Sequence, residues 1–209
     1  MPRMRKNPLE QPHWTLASAS PRRAELLRSI IDSFSIAISP KPEPVRKPTT
    51  VDVELWPVCL AHYKAKAVMA ARHLSFVSRC PWGVIGADTI VELEGNIINK
   101  AQNSAHARRI LQSLSGRVHR VITGVAVVTG TQTHFISAIA VCRMRNLSSS
   151  FLVRYLASGL WRGKAGAYGI QDNDDPLVQL ISGEITTVMG LPVPALRDLL
   201  NRMDLKKPS

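Results

Sequence analysis

Ser18-Ala19-Ser20-Pro21-Arg22-Arg23 joins a short apolar segment at residues 14–17 to a helical pattern that begins at Pro21. Ser20 reads as an N-cap and Pro21 as the first helical residue, where its missing N–H leaves no bond unmade. The unpaired N–H groups and positive dipole end of that helix then face whatever lies beyond Ser18 and Ser20. An anion is favoured there, and Arg22 and Arg23 add two charges with fork geometry for phosphate oxygens. The same six residues also describe a surface helix start with two solvated arginines. The rest of the chain has to choose between these readings.

Outward from this loop, helices and strands alternate. Leu26, Leu27, Ile30 and Ile31 predict one buried helix face over residues 21–31, and residues 34–38 alternate as a strand. A proline-rich connector at 40–48 leads to a helix over 53–73. Residues 84–87 and 89–93 form an apolar run interrupted by Asp88, followed by a Glu94-Gly95-Asn96 turn and a short strand at 97–98. A helix over 104–114, with Ser104 as its N-cap, precedes two strands, 118–128 and 134–144, paired around Gly130. A helix over 148–157, a strand over 178–181 and a C-terminal helix over 193–203 complete the pattern. The class is α/β with a mixed, elongated central sheet flanked by helices. We expect a flexible basic extension at 1–13, a single domain at 14–203 with two lobes around a cleft, and a tail at 204–209.

Composition narrows the function classes. With 209 residues, 45% of them apolar, the chain can bury a substantial core. The basic N-terminus is followed by no apolar leader segment, and no run is long enough to span a bilayer, so a cytoplasmic protein is expected. Cys59, Cys80 and Cys142 lack metal-ligand or framework spacing and read as buried or incidental thiols. The net charge of +12 attracts polyanions, but the basic residues are scattered and aromatics make up only 5%. That pattern suits a small polyanion such as a nucleotide as well as it suits nucleic acid, and nucleic acid is not the expected partner.

Asp88 is the sharpest single residue after the opening loop. It follows the apolar Gly83-Val84-Ile85-Gly86-Ala87 and is expected at a strand end, where a carboxylate needs a partner or a metal. A capped turn or a buried arginine would satisfy it equally. Lys64 on a small-residue helix face and Lys100 after the 97–98 strand are either solvated lysines or, with Arg22 and Arg23, cations converging on one polyphosphate. Residues 164–171, Lys-Ala-Gly-Ala-Tyr-Gly-Ile-Gln, allow close backbone approach to a ligand, and Gln171 offers a donor and an acceptor to a base edge. A tight connection with Tyr168 in the core is the competing reading.

Six ordered blocks, covering about residues 14–200, resemble the Maf-like nucleoside triphosphate pyrophosphatases. They are Leu16-Ala17-Ser18-Ala19-Ser20-Pro21-Arg22-Arg23-Ala24-Glu25-Leu26-Leu27, Leu60-Ala61-His62-Tyr63-Lys64-Ala65, Gly86-Ala87-Asp88-Thr89, Leu114-Ser115-Gly116-Arg117-Val118-His119, residues 164–171, and Val188-Met189-Gly190-Leu191-Pro192. The resemblance implies hydrolysis of a nucleoside triphosphate to the monophosphate and pyrophosphate with a divalent cation, Mg²⁺ or Mn²⁺. It implies Asp88 as the proton acceptor, and Arg22, Thr89 and Gln171 as the positions governing substrate choice. Lys64 and Lys100 fall at phosphate-binding positions, with Ser18, Ser20 and Arg23 in the loop, and Glu43 and Asp88 suit the metal. Residues 164–171 look like the branch acting on dTTP and UTP, a branch linked to modified pyrimidine nucleotides and to restraint of septum formation. A homodimer is common in such proteins. Asp172-Asn173-Asp174-Asp175 stands where the family has a glycine-rich loop. The alternative expectation is therefore a nucleotide- or nucleic-acid-binding regulator of cell division with weakened catalysis.

Overall fold

Among the described residues, seven strands form one mixed sheet, running across it in the order 34–37, 13–17, 82–93, 118–129, 133–144 and 178–182, with 96–98 added to the edge of 82–93. The computed structural model describes residues 13–71, 82–171 and 177–204. The chain runs β1 (His13–Ala17), α1 (Pro21–Arg28), β2 (Phe34–Ala37), α2 (Trp56–Ala71), β3 (Trp82–Leu93), β4 (Asn96–Ile98) and α3 (Ser104–Leu114). It continues through β5 (Val118–Thr129), β6 (Thr133–Met144), α4 (Ser149–Ser158), β7 (Val178–Ser182), α5 (Ile185–Met189) and α6 (Val193–Asp204). β1 pairs in parallel with both β2 and β3, and all other pairings are antiparallel. Among the described residues no helix is long and apolar enough to cross a membrane. Residues 1–12 of the expected basic extension, Cys80, the acidic loop at 172–175 and the tail from 205 lie outside the described residues.

The period-two alternation of β3 and β5 builds the cleft. On one face, Ile85 and Ala87 of β3 and Val125 and Val127 of β5 pack under α1 and α6 with Leu27 and Leu196. Further along the same face, Val91, Leu93 and Val121 pack under α3 and α4 with Leu111 and Leu152. Thr89 and Thr123 stand opposite one another between these clusters and belong to neither. The two helical lobes therefore part over a polar strip in the middle of two twelve-residue strands. The opposite face, with Val84, Ala126, Ile90 and Ile122, is covered by α2.

Several boundaries differ from expectation. β3 is one continuous strand, so Asp88 lies mid-strand, opposite Gly124 of β5, instead of at a strand end. β5 supplies the hydrogen-bonded neighbour that carries β3 straight through the carboxylate. α3 is capped by Asn103, whose side-chain oxygen accepts from the His106 N–H at 2.8 Å, so Ser104 is the first helical residue. α1 ends at Arg28 and leaves Ile30 and Ile31 in a following turn that still packs on the core. α2 begins at Trp56, after a turn in which Asp52 accepts from Leu55 and Trp56. The short α5 was not anticipated; five residues carry too little periodicity to be seen.

Candidate active site

The edge of β3 is the key to the site. β1 pairs with β3 only as far as Ala17 with Gly86, and β4 pairs only from Val91 with Ile98. Among the described residues, 87–90 thus have no strand beside them on that edge, and side chains from both faces of β3 reach the gap. The chain leaving β1 turns there into α1, whose N-cap Ser20 accepts from the Arg23 N–H at 3.4 Å. Ser18 Oγ accepts from the Ser20 N–H at 3.2 Å, which tightens the loop between strand and helix.

Arg23 stands in for the missing strand. Its guanidinium donates to the Ala87 carbonyl at 2.9 Å and the Gly190 carbonyl at 2.8 Å, and to Ser18 Oγ at 3.3 Å and Thr89 Oγ1 at 2.9 Å. Burial lowers its pKa from the ordinary arginine value, opposed by the attraction of Asp88 and Glu43, and a guanidinium stays charged regardless. Its donors are therefore directed at protein acceptors, a fuller commitment than the solvent-facing phosphate fork expected from sequence. Thr89 continues the network. Thr123 Oγ1 donates to the Thr187 carbonyl at 2.7 Å, so in the 2.9 Å contact between the two threonines the Thr89 hydroxyl is the donor.

On the other face, α2 delivers Lys64. A Cβ on Gly86 would lie 2.0 Å from the Ala61 carbonyl oxygen, and one on Gly124 would lie 2.2 Å from the Val58 nitrogen. Only glycine at these two positions lets α2 seat its backbone directly on β3 and β5. That approach places Lys64, 6% exposed, with Nζ 2.5 Å from Asp88 Oδ1 and 3.1 Å from Glu43 Oε2. The two carboxylates share one ammonium, and a buried lysine of this kind persists only because it is paired. Among the described residues no group of three or more His, Cys, Asp or Glu could hold a metal ion. Glu43 and Asp88 are the pair of oxygen donors on hand.

Two adjoining cavities open over this arrangement. The larger, about 520 Å³, is lined by Ser18, Ser20, Glu43 and others, and the four cations singled out in the sequence, Arg22, Arg23, Lys64 and Lys100, share this one cleft. The smaller, about 80 Å³, is walled by Thr89, Val91, Tyr168, Ile170 and Met189 and shares Arg22, Arg23 and Lys100 with the first. Lys100 is exposed at the junction, and its backbone bridges to Ala165. Gln171 is exposed one residue beyond Ile170, at the edge of the described segment, and lines neither cavity.

Sequence reasoning missed Thr123, Lys41 and Arg162. Thr123 is fully buried within the apolar Val121–Val128 stretch of β5, and a threonine in such a run was the available signal. Lys41 and Arg162 also line the larger cavity, but nothing local distinguishes them from solvated surface cations. Comparisons with known proteins place nearly the whole chain in one family. A family model described as Maf-like protein matches residues 13–203. A dTTP/UTP pyrophosphatase of Aromatoleum aromaticum is 41% identical over 186 residues, covering 85% of this chain and 89% of that protein. One from Dictyoglomus thermophilum is 37% identical, covering 90% and 94% respectively. Another from Pyrococcus furiosus is 35% identical, covering 85% and 88%.

Proposed function

Because the chain belongs to the family of Maf-like proteins, we propose that it is a nucleoside triphosphate pyrophosphatase acting on dTTP and UTP, the substrates in its relatives' names. The observation that carries the reading is the buried Lys64–Asp88 pair, whose lysine lines a cleft together with five further basic side chains that include Arg22 and Lys100. Phosphoryl-transfer chemistry asks of a protein chiefly positioning and charge neutralisation, and this cleft concentrates both.

The triphosphate lies along the larger cavity, with Arg22, Lys64 and Lys100 on its oxygens and the α1 N-terminus at one end. The base enters the smaller, partly apolar cavity, whose size suits a single ring; Gln171 at its margin and Thr89 on its wall discriminate among bases. Water adds at a phosphorus of the α–β anhydride, the bridging P–O bond breaks, and Asp88 accepts the proton. Pyrophosphate and the monophosphate leave. Glu43 and Asp88 suit a hard divalent cation, Mg²⁺ or Mn²⁺, completed by substrate phosphates and water. When bound, such an ion neutralises phosphate charge and polarises the anhydride. We place Ser18 and Ser20 as loop contacts to phosphate and Arg23 as the group that holds that loop against β3. A single catalytic domain spanning 14–203, a cytoplasmic location and a homodimer complete the proposal.

The test is pyrophosphate release from a panel of purine and pyrimidine triphosphates with Mg²⁺ or Mn²⁺, using wild type and Asp88→Asn. Release from dTTP and UTP, reduced by about a hundredfold or more in the variant, is the expected result. Release from another base would keep the reaction and replace the specificity. Silence across the panel from folded protein that still binds nucleotide would favour the regulator reading.

A further inference from the structure

Behind the smaller cavity lies a polar pair that the reaction itself does not employ. His119 on β5 and Tyr168 are 2% and 4% exposed, with His119 Nε2 2.6 Å from the Tyr168 hydroxyl. Their rings meet edge to face at 5.4 Å. The Cys142 thiol on β6 is buried in the same cluster as the tyrosine. An imidazole and a phenol sealed into an aliphatic cluster are expensive to bury unless their polar atoms find each other. Apolar side chains would fill the same space at lower cost, so the pair reads as a device for fixing one ring in one place.

What the pair fixes is visible in the loop. Gly166 and Ala167 are consecutive left-handed residues, with φ of 68° and 59°, and alanine in that region is strained. A Cβ on Gly166 would stand 2.9 Å from the Tyr168 ring and 3.0 Å from Val91 Cγ2, so the turn is folded tightly against its own tyrosine. One residue earlier, Ala165 bridges to the backbone of Lys100. Tyr168, Ala165 and Lys100 all line the smaller cavity, whereas His119 lines neither cavity. Tethering the tyrosine hydroxyl therefore holds the turn, the cavity wall and, through the Ala165 bridge, the backbone at Lys100.

We infer that His119 is a positioning residue for base recognition: through the Tyr168 hydroxyl it holds the wall at 164–170 against which the nucleotide's base rests. The inference rests on the placement of the base in the smaller cavity proposed above. Full-length His119→Leu, His119→Gln, Tyr168→Phe and the double variant His119→Leu/Tyr168→Phe would be compared by steady-state kinetics on dTTP, UTP and dCTP. Amide hydrogen exchange of residues 164–170 would be followed in parallel.

His119→Leu and Tyr168→Phe should each raise KM for dTTP about tenfold while kcat stays within about twofold, and should narrow the preference for dTTP over dCTP. Exchange at 164–170 should quicken in both. The double variant should be no worse than either single one, and His119→Gln, which retains a polar partner, should stay near wild type. Unchanged KM in Tyr168→Phe, effects of the two substitutions that multiply, or loss of kcat with unchanged KM would each overturn the inference. If wild type hydrolyses none of the triphosphates, the proposed function fails by itself. Exchange then decides the tether, and unaltered exchange in Tyr168→Phe overturns it.

Discussion

Two adjacent arginines in the first turn of α1 have different work. Arg22 is half-buried on both cavities, whereas the Arg23 guanidinium donates to four protein acceptors. Arg23→Lys would lose the planar fork that reaches Ala87, Gly190 and Thr89 together, because an ammonium presents its donors from a single point. We expect it to lower unfolding free energy by about 2–3 kcal/mol in urea denaturation. Arg22→Ala should leave stability within about 0.5 kcal/mol while weakening nucleotide affinity about tenfold or more in direct titration. Equal losses of stability in the two variants would contradict the assignment. The sequence presented these two residues as equivalents, because chemical type and spacing say nothing about which of them turns inward.

At the scale of elements, the decisive contact is α2 on β3 and β5. Lys64 reaches Asp88 because Gly86 and Gly124 admit the helix backbone, a closeness legible only after the helix has been placed. Gly86→Ala would drive a methyl group into the Ala61 carbonyl, with no flexible side-chain end to yield. A loss of about 2–4 kcal/mol is expected in denaturant unfolding, together with a fall in kcat as Lys64 and Asp88 lose register. Full stability in this variant would mean that α2 can rise off the sheet without consequence. The helix itself was legible from its composition and apolar spacing. Its seat on the sheet was not, since a glycine in an apolar strand reads equally well as a bulge or a bend.

Across the whole molecule, acid should act through the buried core as well as the exposed carboxylates. Burial holds the His119 imidazole down to about pKa 4, with the backbone of Arg117 a smaller opposing influence. An unfolded chain binds that proton near pH 6.5, so between about pH 6.5 and 4 the unfolded state holds more protons and folding stability falls as pH falls. The full difference corresponds to about 3 kcal/mol, all of it retained above pH 6.5 and lost below about pH 4. Comparing denaturation of wild type and His119→Gln from pH 7 to pH 4 isolates this group. The variant should lose less stability across the window, and parallel curves would rule the histidine out as a source of acid sensitivity.

The sequence by itself determined the α/β class, the order of the main helices and strands, the N-cap of α1 at Ser20, and the identity of Asp88, Lys64 and Lys100 as candidates. Each of those rests on local chemistry: period, capping, or a charge within an apolar run. Only the tertiary structure decided that Arg23 occupies the unpaired edge of β3 and that two lobes part over Thr89 and Thr123. It alone joined Tyr168 to a histidine 49 residues away. Those features depend on contacts between segments far apart in the chain, where the partner that a polar group will meet is set by packing and has no signature at either residue.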